Sequence, residues 1–149
     1  MSGRTARQVS GQGAGKALLA AVSLLAAGRG ETYQVIVNPN NPVHEMERAA
    51  VARLFLKKVS HWPDGSLVRP VDRVAGSQVR QGFVEDVLAR SVAAVRAYWQ
   101  QAIFSGRDIP PPELASDEAV VEYVLANEGA IGYVSRNADV RGAKVVVVR

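Results

Sequence analysis

Residues 71–80 read VDRVAGSQVR, and this stretch joins a strand to a helix. Its β-branched start predicts the end of a strand, the chain then passes through Gly76, and Ser77 is a typical helix N-cap. Apolar side chains follow at helical spacing, at Val79, Phe83, Val84, Val87 and Leu88. The segment therefore predicts a strand, a turn and a capped helix in direct succession.

The same alternation of strand and helix patterns runs through the rest of the chain. Four β-branched or apolar runs predict strands, at 33–37, 67–72, 130–134 and 144–148. Four stretches with helical spacing predict helices, at 45–59 and after N-caps at Ser77, Ser91 and Ser116. This alternation indicates the α/β class, with about four strands covered by about four helices.

The apolar positions also predict which surfaces are buried. The unbroken valine run within 144–148 predicts a strand buried on both faces. The helix after Ser91 is expected to point Val92, Val95, Trp99 and Ile103 inward. The helix after Ser116 is expected to bury Val120, Val121, Val124 and Leu125.

Residues 1–28 carry the order of features found in a secretory signal peptide. Three cations precede the 11-residue apolar run 17–27, and small residues precede a cut after Gly28. The run is well short of the roughly 20 residues that span a bilayer, so no lasting membrane span is expected. We therefore predict one mature domain at 29–149, in the periplasm or secreted.

Charge and cysteine content exclude several functions. Residues 1–28 hold +3 of the formal charge of +4, and the +1 left on residues 29–149 argues against a nucleic-acid partner. The chain has no Cys, so disulfides, zinc-thiolate sites and Cys nucleophiles are excluded. Its two imidazoles, His44 and His61, have no partner at metal-ligand spacing, and no His-Glu-x-x-His, Gly-x-Ser-x-Gly or Rossmann glycine motif occurs. The sequence therefore predicts no catalytic residues, no metal site and no cofactor.

The most informative chemistry lies at the start of the helix after Ser77. The backbone N–H groups of Gln78 and Val79 are free in the first helical turn, and the helix dipole favours an anion there. The Ser77 hydroxyl can donate to an oxyanion, and Arg73 or Arg80 can supply a charge-assisted contact. The same residues also fit an ordinary Ser N-cap with two surface arginines.

Beyond these patterns, an ordered set of segments resembles the phosphate ABC transporter substrate-binding proteins. The closest similarity is to short, single-domain bacterial members of the periplasmic-binding-protein superfamily. The segments that carry it are LFLKKVSHWPDG at 54–65, VDR at 71–73, GS at 76–77, YW at 98–99, FSG at 104–106 and GAIGY at 129–133. The resemblance implies a single lobe of the type II periplasmic-binding-protein-like fold.

The resemblance also implies a ligand and a set of contacts. In that family an Arg after a strand and a Ser-Gly-Thr at the next helix start hold phosphate, and Arg73 and Ser77 match the Arg and the Ser. Gln78 and Val79 stand where Gly and Thr would be, so only their backbone donors carry over. Arg80, one turn beyond Ser77, is not one of the family's phosphate contacts. We include it because its charge is expected to compensate for the missing Thr hydroxyl. The implied partners are inorganic phosphate or a similar oxyanion and an ABC transporter permease or another periplasmic protein.

Two functional hypotheses remain open at this stage. The first is an exported, non-enzymatic solute-binding protein that takes phosphate or a similar oxyanion, for ABC-transporter phosphate uptake. The second is a periplasmic protein-interaction or sensory module that has lost small-ligand binding. The replacement of Gly-Thr by Gln78 and Val79 favours the second, as does a length with room for one lobe of the two that close on the anion in the family. The grouping of Arg73, Ser77 and Arg80 at one helix start favours the first.

Overall fold

The computed structural model describes residues 32–149, and the predicted signal peptide at 1–28 lies outside the described residues. Strands and helices alternate along this part of the chain. In order they are β1 (Tyr33–Val37), β2 (Glu45–Met46), α1 (Arg48–Phe55), β3 (Arg69–Pro70), β4 (Asp72–Arg73), α2 (Gln78–Phe83), α3 (Val92–Phe104), β5 (Glu113–Leu114), α4 (Asp117–Ala126), β6 (Ala130–Ser135) and β7 (Lys144–Val148). A π-helical segment, Val84–Leu88, continues α2. Within residues 32–149, no helix combines the length and apolar character needed to cross a membrane.

Three of the helices begin at the predicted serine caps. Ser77, Ser91 and Ser116 each adopt an extended backbone, and each side-chain oxygen accepts a hydrogen bond from the N–H three residues later. Such a bond satisfies one of the N–H groups that the first helical turn leaves unpaired. These local predictions are confirmed.

The five-stranded sheet has the order β2-β7-β1-β6-β3. The central strand β1 runs antiparallel to both β6 and β7, whereas β2 pairs with β7 and β3 with β6 in parallel. β4 and β5 form a separate parallel pair, with Asp72 opposite Glu113 and Arg73 opposite Leu114. The predicted α/β class is confirmed, and the additional strands are two-residue pairings that have no periodic pattern in the sequence.

Helices cover both faces of the sheet. On one face Val35, Val37, Ile131 and Tyr133 pack with buried residues of α1, α2 and α3 in the larger apolar cluster. On the other, Ile36 and Val134 pack against Val120, Val121 and Val124 of α4. Both clusters contain residues below 2% exposure, so the sheet is the middle layer of the domain.

Gly132 allows α4 to lie close to β6. A Cβ atom at this position would come within 2.7 Å of Val120 Cγ1 and 2.9 Å of Val71 Cγ2. Both neighbouring atoms belong to fully buried side chains, which have little room to move. The glycine therefore serves the close approach of helix and strand.

Several boundary and burial predictions are wrong. The helix predicted at 45–59 spans only Arg48–Phe55, because Glu45 and Met46 pair with β7 instead. The strand predicted at 67–72 is divided between β3 and β4, which belong to different sheets. β7 is not buried on both faces: Val145 and Val147 lie on the same face of the sheet as α4, but α4 does not cover β7, and these side chains are 44% and 55% exposed. The predicted inward residues Ile103 and Leu125 are also exposed.

Candidate functional site

The candidate site forms where β4 ends and α2 begins. Gly76 has a φ of +87°, a left-handed conformation that turns the chain toward the helix. Ser77 then caps α2, and its hydroxyl oxygen lies 3.4 Å from the N–H of Arg80, which donates to it. The N–H groups of Gln78 and Val79 lie in the first turn, outside the i to i−4 bonding of the helix. The predicted local geometry is present.

Arg73 is buried and held by α4. It is 8% exposed, and its guanidinium forms a salt bridge with the carboxylate of Asp117, the first residue of α4. A second guanidinium nitrogen donates to the carbonyl oxygen of Ala115 at 3.4 Å. The interpretation of Arg73 as a surface side chain is therefore wrong.

Arg80 is buried more deeply and joins three elements. It is 6% exposed, and its Nη1 donates to the Arg73 carbonyl oxygen at 2.8 Å and to Glu113 Oε1 at 2.9 Å. Its Nη2 lies 3.6 Å from Asp72 Oδ2. Arg80 therefore ties α2 to both strands of the small β4–β5 sheet.

Asp72 lies beneath Arg80 and is bonded to the main sheet. The Tyr133 hydroxyl of β6 donates to Asp72 Oδ1, as does the Arg73 N–H at 2.8 Å. Burial raises the pKa of Asp72, against the opposing effect of the Tyr133 hydrogen bond and the Arg80 charge. Burial and the neighbouring Asp72 carboxylate raise the pKa of Tyr133, which keeps the hydroxyl protonated as a donor. The ring of Phe83 in α2 stacks on Tyr133 with centroids 3.9 Å apart and fixes its position.

Asp117 behaves in the opposite way from Asp72. Burial acts to raise its pKa, but the hydrogen bonds from Ser135 and the pairing with Arg73 together lower the pKa below its usual value. The Ser135 N–H donates to Asp117 Oδ1 at 3.0 Å. Asp117 is therefore held as a carboxylate between α4, β6 and Arg73.

We refer to Arg73, Arg80, Asp72, Glu113 and Asp117 as the arginine cluster. Two polar atoms of this cluster lack a partner: the Nε–H groups of Arg73 and Arg80 are buried and donate no hydrogen bond to any acceptor among residues 32–149. A buried unpaired donor costs about 1–3 kcal/mol, so these groups favour an additional acceptor. They are the unsatisfied part of an otherwise paired network.

Two open pockets meet at Arg80. One, of about 330 Å³, is lined by Gly76, Ser77 and Arg80 and closed by the start of α3 at Ser91. The other, of about 190 Å³, lies on the α3 side, where Arg80 and Glu113 meet Trp99. Solutes therefore have access to the vicinity of Arg80 from two sides.

The structure brings together three of the five predicted site residues. Arg80 contacts both the Arg73 carbonyl oxygen and the Ser77 hydroxyl, whereas the Gln78 side chain faces solvent and the Val79 side chain joins the apolar core. Gln78 and Val79 can contribute only their backbone N–H groups, as the sequence predicts.

Sequence reasoning missed the acidic partners. Glu113 and Asp117 lie 33 and 44 residues from the arginines they contact, and Tyr133 lies 61 residues from Asp72. The one available signal is the presence of Asp117 directly after the Ser116 cap, and an acid there is expected in any helix. Across residues 32–149, no three His, Asp or Glu side chains are grouped to hold a metal ion.

Comparison with known proteins identifies the architecture. No family model matches the chain, and no curated protein matches its sequence. Solved structures do match: an ABC-type phosphate transport receptor from Vibrio cholerae superposes with a TM-score of 0.62 at 17% identity, over 78% of this chain and 46% of that one. The chain has the fold of one lobe of a periplasmic binding protein.

Two further solved structures superpose on this chain with comparable TM-scores. A Clostridium perfringens protein described as a phosphate ABC transporter substrate-binding protein, with bound phosphate, gives a TM-score of 0.60 at 22% identity, over 78% of this chain and 44% of that one. PstS from Borrelia burgdorferi gives 0.61 at 12% identity, over 79% of this chain and 47% of that one. The chain thus spans less than half the length of each of these three structures. The expected resemblance in fold is confirmed.

Proposed function

We propose that this chain is an exported, non-enzymatic solute-binding protein that holds phosphate or a similar oxyanion at the start of α2. Arg73, Ser77, Arg80 and the N–H groups of Gln78 and Val79 are the proposed contacts. The proposal includes removal of residues 1–28 during export, a periplasmic or secreted location, and a role with an ABC transporter permease in phosphate uptake. The fold shared with a Clostridium perfringens protein that contains bound phosphate supports it.

The observation that carries the proposal is the pair of unsatisfied arginines. Arg73 and Arg80 are more than nine-tenths buried beside a capped helix start, and the Nε–H of each lacks an acceptor among the described residues. An oxyanion has enough lone pairs to accept from guanidinium, hydroxyl and backbone donors together. The same anion is favoured by the positive end of the α2 dipole.

An oxyanion can bind the arginines of the arginine cluster only if it displaces a carboxylate that already pairs with them. Glu113 and Asp117 occupy the arginines, and their side chains are 44% and 23% exposed, so each has a route to solvent. Asp72, at 11%, is too enclosed to leave. We infer that an incoming oxyanion exchanges with Glu113 first, because Glu113 is the most solvated of the three and its departure costs the least.

Calorimetric titration of the purified protein with phosphate, and separately with sulfate, tests this exchange. Because Glu113→Gln removes the competing charge and keeps the side-chain shape, we expect phosphate affinity to rise, by about tenfold if the exchange costs ~1.4 kcal/mol. Arg80→Lys is expected to weaken binding, since Lys lacks the forked guanidinium geometry. Glu122→Gln is the matched control, because Glu122 is an exposed acid on α4 outside the arginine cluster, and it should leave affinity unchanged.

The ion pairs also favour a second candidate function. Two guanidinium groups face three carboxylates, so each arginine of the arginine cluster already has an acidic partner without a ligand. In that case the lobe acts as a protein-interaction or sensory module and the cluster holds β4, α2 and α4 together. Flat titrations with both anions, from folded wild-type protein and from folded Glu113→Gln, would decide for this second function.

A further inference from the structure

A group of large apolar side chains stands exposed at the end of α3. Ile103, Phe104 and Ile109 are 53%, 93% and 65% exposed. Isolated exposed hydrophobic residues are common, but three large ones within seven residues are a local concentration of exposed apolar surface, a feature of surfaces that contact a partner. Phe104 is the most exposed large apolar side chain among residues 32–149.

The backbone holds this group outward. α3 ends at Phe104, and Gly106 follows with a φ of +69°, a left-handed conformation that is common just after the end of a helix. Residues 110–112 are three prolines, which restrict the chain that follows Ile109. The apolar side chains are therefore presented by a preformed turn, so little conformational entropy is lost when they are buried.

The C-terminal end of α1 lies next to α3 and the residues that follow it, and it adds positive charge there. The Tyr98 hydroxyl of α3 donates to the Leu56 carbonyl oxygen at 2.9 Å, and Lys57 Nζ lies 3.6 Å from Asp108 Oδ1. The guanidinium of Arg90 lies over the Tyr98 ring, 5.5 Å from its centroid. Segments 53–58 and 90–109 are therefore neighbours in space.

These two segments concentrate the positive charge of the domain. They contain six of the 14 Lys and Arg residues within 32–149 but one of the 13 acidic residues, Asp108, which Lys57 already neutralises. The six cations are Arg53, Lys57, Lys58, Arg90, Arg96 and Arg107. The rest of the domain is net negative, so the charge is asymmetric. We call the three apolar side chains with these six cations the basic tip.

We propose that the basic tip docks on an anionic lipid bilayer, with Phe104, Ile103 and Ile109 inserted at the interface and the flanking cations against headgroup phosphates. Exposed apolar side chains and Lys or Arg near an anionic surface both contribute to such binding. A stable protein interface needs about 800 Å² from each partner, which three side chains do not supply. A fluid bilayer also needs no matching pocket for a protruding phenyl ring. No basic-tip residue belongs to the arginine cluster, but Arg96 and Ile103 line the pocket that reaches Arg80, so the test must separate the two sites.

Co-sedimentation with vesicles tests the proposal. The probe is a vesicle of phosphatidylcholine with about one third phosphatidylglycerol, compared with phosphatidylcholine alone, at about 0.1 M and about 1 M salt. We expect binding to the anionic vesicles at low salt and its loss on neutral vesicles or at high salt. Absence of binding to the anionic vesicles, or equal binding to both kinds, overturns the proposal and leaves a protein partner for this surface.

Matched variants locate the contact. Phe104→Ser should lower the vesicle partition coefficient about tenfold, whereas Val147→Ser, at a 55% exposed valine on β7, should not change it. Lys58→Glu should lower it about tenfold or more, whereas Arg141→Glu, outside the basic tip, should have little effect. Equal losses in test and control variants contradict docking through this surface.

Inorganic phosphate separates the headgroup contact from the oxyanion site. At equal ionic strength, phosphate and chloride salts should release the protein from anionic vesicles equally. Selective release by phosphate would assign vesicle binding to the arginine cluster and overturn the role of the basic tip.

Discussion

The arginine cluster and the basic tip use the same residue type in opposite ways. In the arginine cluster, Arg73 and Arg80 are 8% and 6% exposed, and carboxylates from β4, β5 and α4 face them. In the basic tip, Arg96 and Arg107 are exposed, and no acidic side chain among residues 32–149 forms a salt bridge with either. The surroundings that the fold supplies decide whether an arginine organises the interior or faces a partner.

This contrast has an energetic basis. A buried charge that loses its partner is strongly destabilising, because the remaining group has neither water nor a counter-ion. An exposed charge keeps its hydration whether or not a partner is present, and surface pairs contribute little. We therefore expect substitutions in the arginine cluster to lower folding stability, and substitutions in the basic tip to change vesicle binding with little effect on stability.

The largest expected effect is the loss of folding stability in Arg80→Met. The substitution keeps an unbranched side chain but leaves Asp72 buried without its cation and Glu113 without its donor, so we expect a loss of about 3–5 kcal/mol in the free energy of unfolding. Urea denaturation at neutral pH measures it. Arg96→Met, the exposed counterpart, should change stability by no more than about 0.5 kcal/mol. Similar losses in the two variants would contradict the contrast between the regions.

The pH dependence of folding stability should distinguish two carboxylates within the arginine cluster. The pKa of Asp72 is raised from 3.8, so its contribution to stability is present in acid and is lost as pH rises through the folded-state pKa. The pKa of Asp117 is lowered from 3.8, so its contribution is present above that value and is lost as pH falls through the folded-state pKa.

Stability curves of Asp72→Asn and Asp117→Asn check these signs. Relative to wild type, Asp72→Asn should gain stability as pH rises from about 3 to about 7, whereas Asp117→Asn should lose it over the same range. Each variant also carries a constant offset from its altered hydrogen bonds, so the slopes carry the information. Curves that run parallel to wild type would show that neither carboxyl titrates differently in the folded protein.

The sequence predicts best those features that depend on neighbouring residues. The caps at Ser77, Ser91 and Ser116 form because each serine reaches an N–H three residues away. The class of fold follows from the alternation of strand and helix periods. Burial of β7 depends instead on sheet order: β7 lies beside a two-residue strand, and α4 packs on β1 and β6, so Val145 and Val147 remain uncovered.

The sequence predicts the arginines of the candidate site but not the acidic side chains that pair with them. Arg73 and Arg80 are visible in the sequence beside a helix start, and the structure places them at the end of β4 and in the first turn of α2. Their burial follows from Glu113 and Asp117, which the chain brings back after α3 and the proline run. Pairings over 33 and 44 residues depend on tertiary packing, which no local pattern encodes.

The smallest expected effect on folding is that of Phe104→Ser, which bears on the basic tip. Because Phe104 is 93% exposed, folding buries almost none of its surface, and its replacement should change the free energy of unfolding by less than about 0.5 kcal/mol. Phe83→Ala removes the ring that stacks on Tyr133 and should cost about 3–5 kcal/mol. Urea denaturation of both variants gives the comparison. A loss above about 1 kcal/mol in Phe104→Ser would mean that the ring is covered in solution, and then the basic tip would not be free to meet a bilayer.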